Sequence, residues 1–121
     1  MSGERRYPPL ALMQARSFGA RLRGLLLRPA LRDGEGVCLA PCRAVHTLGM
    51  AVAIDVVFLD AHGAVLRRVS SLPPGRVALC LRAAMAIELP AGYCHRHADW
   101  RRQITQALSR PLQERSSRDS G

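Results

Sequence analysis

The sequence predicts an α+β, mainly β domain: a small curled antiparallel β-sheet or barrel-like domain with a short helix near each end. Three observations carry this prediction. The run "AIDVVFL" (53–59) is apolar on both sides of its alternation and rich in β-branched residues, the pattern of a strand covered on two faces. Other short apolar runs are separated by Gly and Pro turns. Helical periodicity occurs in two stretches, one towards each end.

Taken in order, residues 1–9 form a flexible N-terminal arm that ends in Pro8-Pro9, and a single domain spans 10–110. "LALMQA" (10–15) reads as a short strand. Ser17 is placed to cap a helix over "FGARLRGLLLR" (18–28), where Phe18, Leu22, Leu25 and Leu26 fall at helical spacing and Pro29 stops it. Gly19 and Gly24 weaken that helix by about 1 kcal/mol each, so it needs tertiary support. Gly34 and Gly36 make a turn before the brief strand "VCLA" (37–40). "DAHG" (60–63), with Gly63 suited to a left-handed position, turns the buried strand back into "AVLRRVSS" (64–71) as a hairpin. "SLPPG" breaks the pattern, "VALCL" (77–81) and "MAIEL" (85–89) are further strands, and Pro90 to Gly92 make another turn. In "ADWRRQITQALSR" (98–110), Asp99 is the N-cap of a helix with Trp100, Ile104 and Leu108 on one stripe. Residues 111–121 are polar and read as a disordered tail.

Composition narrows the function classes. A chain of 121 residues, 48% of them apolar, can bury a core of its own. All eighteen cations are arginine against nine carboxylates, a net charge of +9 that invites a nucleic-acid reading. The arginines, however, are scattered from Arg5 to Arg118, and one Trp, two Tyr and two Phe make no stacking platform. The N-terminus lacks the continuous apolar core of a signal peptide, and Arg82 interrupts the most apolar stretch. A cytoplasmic monomer with no membrane segment and no cofactor is therefore expected, its four cysteines reduced.

Several landmarks resemble a small prokaryotic family, domain of unknown function 192. Arg21, Gly24, Leu25 and Arg28 in "RLRGLLLR" are similar to its Arg-x-x-Gly-Leu-Met-x-Arg pattern, with Leu26 in place of the usual methionine. "GEGVCL" (34–39), "IDVVFLDAHGAV" (54–65) and "IELPAG" (87–92) resemble its glycine turn, its hairpin and its Leu-Glu-Leu-Pro-Ala-Gly segment. The resemblance covers residues 10–92. "VHTLGM" (45–50) and Ala53 depart from the commoner form, and no closing Gly-Asp strand follows Gly92. The resemblance implies a compact β-barrel-like fold with short helices, and no activity.

Asp55 is the most informative residue. Ile54 and Val56 flank it in an apolar strand, where a carboxylate is costly unless paired. Arg21 or Arg28 from the first helix is the expected partner, and Glu88, in "MAIELP", is expected to pair with Arg82 or Arg76. His46, Thr47, Met50 and Asp55 then line the one polar cleft, fit for a small ligand or a protein strand.

Two chemical alternatives compete. Cys38, Cys42 and His46 have metal-like spacing, but Pro41 breaks a helix there. On a strand, four residues span about 13 Å, whereas two ligands of one zinc lie about 4 Å apart. Cys94, His95 and His97 make a better cluster, the histidines about 7 Å apart along a strand, yet a fourth ligand is missing. Cys42 with His46 is also a possible thiol nucleophile and base. The preferred reading is a non-catalytic accessory domain that binds a small ligand or a protein. A Cys/His metal protein or hydrolase-type enzyme is the first alternative, and a basic nucleic-acid binder the second.

Overall fold

The computed structural model describes residues 9–15, 31–110 and 113–114. Among them the elements run β1 (Ala11–Ala15), β2 (Glu35–Leu39), β3 (Ala44–His46), β4 (Ile54–Leu59), β5 (Val65–Leu72), β6 (Val77–Leu79), β7 (Met85–Pro90), α1 (Tyr93–Arg96), α2 (Trp100–Leu108) and β8 (Gln113–Glu114). The helix expected over 18–28 lies outside the described residues.

Six strands form one sheet in the order β5-β4-β7-β2-β1-β8, and β3 with β6 forms a separate two-stranded ribbon. The fold is mainly β, as expected, but the large sheet is mixed. β1 runs parallel to both β2 and β8. Parallel neighbours need a crossover of about a dozen residues or more, and the 16–34 connection is long enough to make one. The sheet ends at β5 and β8 and is open, so the expected barrel-like closure is not seen. Gln113–Glu114, within the expected tail, align along the outer edge of β1, where an edge strand offers backbone groups to any passing segment.

All six residues of β4 are buried, because the strand lies inside the sheet and both faces are covered. Val57 and Leu59 face a core completed by Tyr93, Trp100, Ile104 and Ala107 of the two helices. Val56 and Phe58 face a second core, which Val45 and Ala78 of the ribbon complete. Side chains alternate along a strand, so this one run of apolar residues feeds both cores. β5, at the sheet edge, instead exposes Arg67, Arg68, Ser70 and Ser71. Charged edge residues discourage pairing with other chains.

Turns close as their residues dictate. Gly63 (φ 86°) and Gly92 (φ 82°) occupy left-handed positions that a side chain would strain. Asp99 sits at the N-cap of α2, but its carboxylate accepts from Arg102 Nη2 at 2.7 Å and Gln103 Nε2 at 3.1 Å rather than capping the backbone. The stripe of Trp100 and Ile104 is buried as expected, with Ala107 beside it and Leu108 partly covered.

Gly36 is where β2 meets its neighbours most closely. A Cβ there would lie 2.8 Å from Leu12 Cδ2, 2.9 Å from Leu89 Cδ2 and 3.0 Å from the Glu88 carbonyl oxygen. Gly36→Ala is therefore expected to destabilise the domain by about 1–3 kcal/mol, the usual range for overpacking. Urea unfolding monitored by circular dichroism measures this, and an unchanged midpoint would contradict the packing described.

Candidate functional site

The Asp55 side chain is fully buried, and its surroundings explain how a charge survives there. Its register with Leu89 directs it to the helix-covered face of the sheet. Oδ1 accepts from the Ser71 N–H at 2.8 Å and the Gly92 N–H at 2.9 Å, and Oδ2 accepts from the Cys94 N–H at 3.0 Å. These three donors are backbone amides. The ladder between β4 and β5 shifts register between Ile54 and Val56, and Ser71 adopts φ +50° beside that irregularity. Gly92 and Cys94 lie at the start of α1, where helical amides have no intrahelical acceptor. One carboxylate thus satisfies donors that a bulge and a helix start leave over. Arg21 and Arg28, the guanidinium partners expected from the sequence, lie outside the described residues.

Glu88 faces the other way, in register with Val37 and Val56 of the ribbon-side core. It is buried and is not without a partner. Arg76 and Arg82 stand exposed and make no ion pair with it among the described residues.

The other residues assigned to a polar cleft separate. Thr47 is fully buried and holds the 73–76 turn: its hydroxyl donates to the Pro73 carbonyl at 2.6 Å and accepts from the Arg76 N–H at 2.9 Å. Met50 packs against the ribbon-side core. His46 pairs with Val77 across the ribbon, and its Nδ1 accepts from the Leu48 N–H at 3.3 Å. Asp55 is on the far face of β4 from the ribbon, so Cys42, His46 and Asp55 do not converge.

What sequence reasoning missed is the outward side of the ribbon. Val45 and Ala78 point into the core, so their strand neighbours Ala44, His46, Val77 and Leu79 point away from it. Val77 is 58% exposed and Leu79 52%, and Leu81, in the next turn, is 74% exposed. Leu48 and Val52 are also exposed. The signal was present in the sequence as the alternation Val77, Leu79, Leu81, but "VALCL" is apolar throughout and does not say which side is covered.

The cysteine and histidine clusters do not assemble either. Among the described residues no three His, Cys, Asp or Glu side chains are grouped to hold a metal. Cys94, His95 and His97 lie on α1 and its C-cap rather than on a strand, because Gly92 turns the chain into a helix. His97 Nε2 lies 2.8 Å from Asp33 Oδ2, and Arg96 Nη2 donates to Asp33 Oδ1 at 2.6 Å. Burial pushes the Cys38 thiol up to about 11, and the Cys42 charge adds to this. Burial, then the charge of Asp55, pushes the Cys94 thiol up to about 12. The Cys42 thiol donates to the Ala44 carbonyl at 3.1 Å.

Two outcomes follow. Asp55→Ala leaves the buried Cys94 amide and the partly buried Ser71 and Gly92 amides without their acceptor, and should destabilise by about 3–5 kcal/mol in urea; a loss under about 1 kcal/mol would mean the amides find other acceptors. For Asp33, partial burial pulls its pKa upward, but the hydrogen bonds and charges of Arg96 and His97 outweigh it and hold it below 3.8. A depressed carboxylate contributes stability above its unfolded pKa and loses it as pH falls through the folded value. An NMR titration should thus place Asp33 below its ordinary range and return it upward in Arg96→Gln; an unmoved midpoint would contradict the contact.

The family profile DUF192, "Uncharacterized ACR", matches residues 3–98. Among solved structures, a protein of unknown function from Novosphingobium aromaticivorans is similar at a TM-score of 0.62 and 18% identity, over 70% of this chain and 66% of that one. The chain therefore spans just under two thirds of that structure's length. A Sinorhizobium meliloti protein, described as a candidate transcription regulator, is similar at 0.63 and 17% identity, over 70% of this chain and 71% of that one. At such identities the likeness is one of fold. No curated protein matches the chain. The profile match, together with the resemblance carried by "RLRGLLLR", the glycine turn, the hairpin and "IELPAG", shows that the chain belongs to the DUF192 family.

Proposed function

We propose that this chain is a non-catalytic binding domain that engages a protein through the outward face of the β3–β6 ribbon. One observation carries the reading: Val77, Leu79 and Leu81 stand exposed on one side of β6 and the turn after it, with Leu48 exposed after β3. Exposed apolar side chains are ordinary when scattered, but grouped ones mark interaction surfaces. His46, expected at the rim of a cleft, belongs to this face through its pairing with Val77.

The alternatives draw less support. Among the described residues no three His, Cys, Asp or Glu side chains are grouped to hold a metal, and Asp55 is on the face of β4 away from Cys42 and His46. For nucleic acid, several arginines are already engaged within the protein: Arg96 with Asp33, Arg102 with Asp99, and Arg110 with the Leu10 carbonyl. Arg67 likewise donates to the Leu79 carbonyl.

A photo-crosslinking residue placed at Leu79 should capture a defined protein in cells, whereas the same residue at Arg102, exposed on α2, should not. Equal capture at both positions, or none at Leu79, would remove the docking reading.

A further inference from the structure

We infer that Arg68 and Arg101 form a binding site for a phosphate dianion, free or at the end of a phosphomonoester, where the sheet edge at β5 meets the start of α2. The site is separate from the ribbon face. Both guanidinium groups are held at one ring: Arg101 Cζ lies 4.6 Å and Arg68 Cζ 5.6 Å from the centre of Trp100. They reach it from different layers. Arg68 pairs with Val57, whose side chain faces the helix-side core, so Arg68 rises from the sheet towards the helices. Arg101 comes from the first turn of α2.

These two arginines differ from others in how they are held. Arg96 and Arg102 give their N–H edges to carboxylates, and Arg67 and Arg110 give theirs to carbonyls. Arg68 and Arg101 make no ion pair and no side-chain hydrogen bond among the described residues. A cation–π contact orders the charge against the ring and leaves the fork of N–H donors unused. Trp100 is buried while both arginines are exposed, so a fixed ring holds two donors at the surface. Less side-chain freedom then remains to be lost when a ligand arrives. The carboxylates of this corner are committed. Asp99 accepts from Arg102 and Gln103. Asp55, buried on the same side of the sheet, attracts the two cations without making an ion pair, its oxygens being taken by three amides. Two like charges at one ring repel, and an anion between them relieves this. Donor count selects the anion. A carboxylate brings one charge and two oxygens, which one guanidinium fork satisfies, whereas a terminal phosphate brings nearly two charges and three oxygens, enough for two forks. A nucleic-acid backbone phosphate again carries a single charge.

Trp100 is the chain's one tryptophan, so its fluorescence reports on this site. The full chain is titrated at constant ionic strength with inorganic phosphate, glycerol phosphate, phosphatidic acid vesicles, acetate and an oligonucleotide without a terminal phosphate. Calorimetry, which does not depend on the indole, repeats each titration. Inorganic phosphate or glycerol phosphate should bind saturably and at least about tenfold more tightly than acetate. Arg68→Gln and Arg101→Gln should each weaken that binding by about tenfold, and Arg43→Gln, exposed away from Trp100, should leave it unchanged. All three are surface positions, and circular dichroism checks that each variant is folded. Tighter binding of glycerol phosphate than of vesicles supports the site with a soluble phosphomonoester, and the reverse order supports it with a lipid headgroup. No saturable binding of any phosphate, equal binding of acetate, tighter binding of the oligonucleotide, or phosphate binding that survives both substitutions would overturn the assignment.

Discussion

A buried carboxylate must be ringed by donors, and among the described residues Asp55 accepts from backbone amides of two separate parts of the chain. Ser71 lies near the end of β5, while Gly92 and Cys94 lie where β7 gives way to α1. The bonds are charge-assisted and hence among the stronger ones available to a protein. Their geometric effect matters as much as their energy. They fix where α1 begins, and thereby direct α2 so that Trp100, Ile104 and Ala107 cover the sheet. Remove the carboxylate and both a bulge and a helix start lose their acceptor.

That arrangement divides the molecule into two sides. On the helix side, polar groups are spent on structure: Asp55 on amides, Asp33 on Arg96 and His97, Asp99 on Arg102 and Gln103. Arg68 and Arg101 lie over Trp100, at 5.6 Å and 4.6 Å from its ring centre, which places two cations against the rim of that core. On the opposite side the cover given by the described residues is the two-stranded ribbon. A two-stranded ribbon has one inner face to bury and one left over, and here the left-over face carries Val77 and Leu79. The docking proposal follows from this inequality between the two sides.

Much of the fold was legible because it depends on local rules. "AIDVVFL" announces a strand buried on both faces, Gly63 and Gly92 mark left-handed turns, and Asp99 marks a helix start. Less was legible where a neighbour decides. β3 is only Ala44 to His46, too short for periodicity to declare it, and it exists as a strand because β6 pairs with it. The Cys94–His97 stretch, read from the sequence as strand, is helical at Tyr93–Arg96, where Asp55 collects the amides at its start. Thr47 looked like a site residue, yet its hydroxyl is consumed by the Pro73–Arg76 turn, which lies twenty-six and more residues away in sequence.

By itself, the sequence determined that "AIDVVFL" and "MAIEL" become strands and that a helix follows Asp99, that the chain is mainly β, which family it belongs to, and that Asp55 requires partners. Those are consequences of periodicity, turn chemistry and the cost of burying charge, all readable one segment at a time. Tertiary structure alone decided that backbone amides answer Asp55, that β1 runs parallel to β2 in an open sheet, and that Val77, Leu79 and Leu81 face outward. Each of these depends on which distant segment arrives as a neighbour, and a linear pattern holds no record of that.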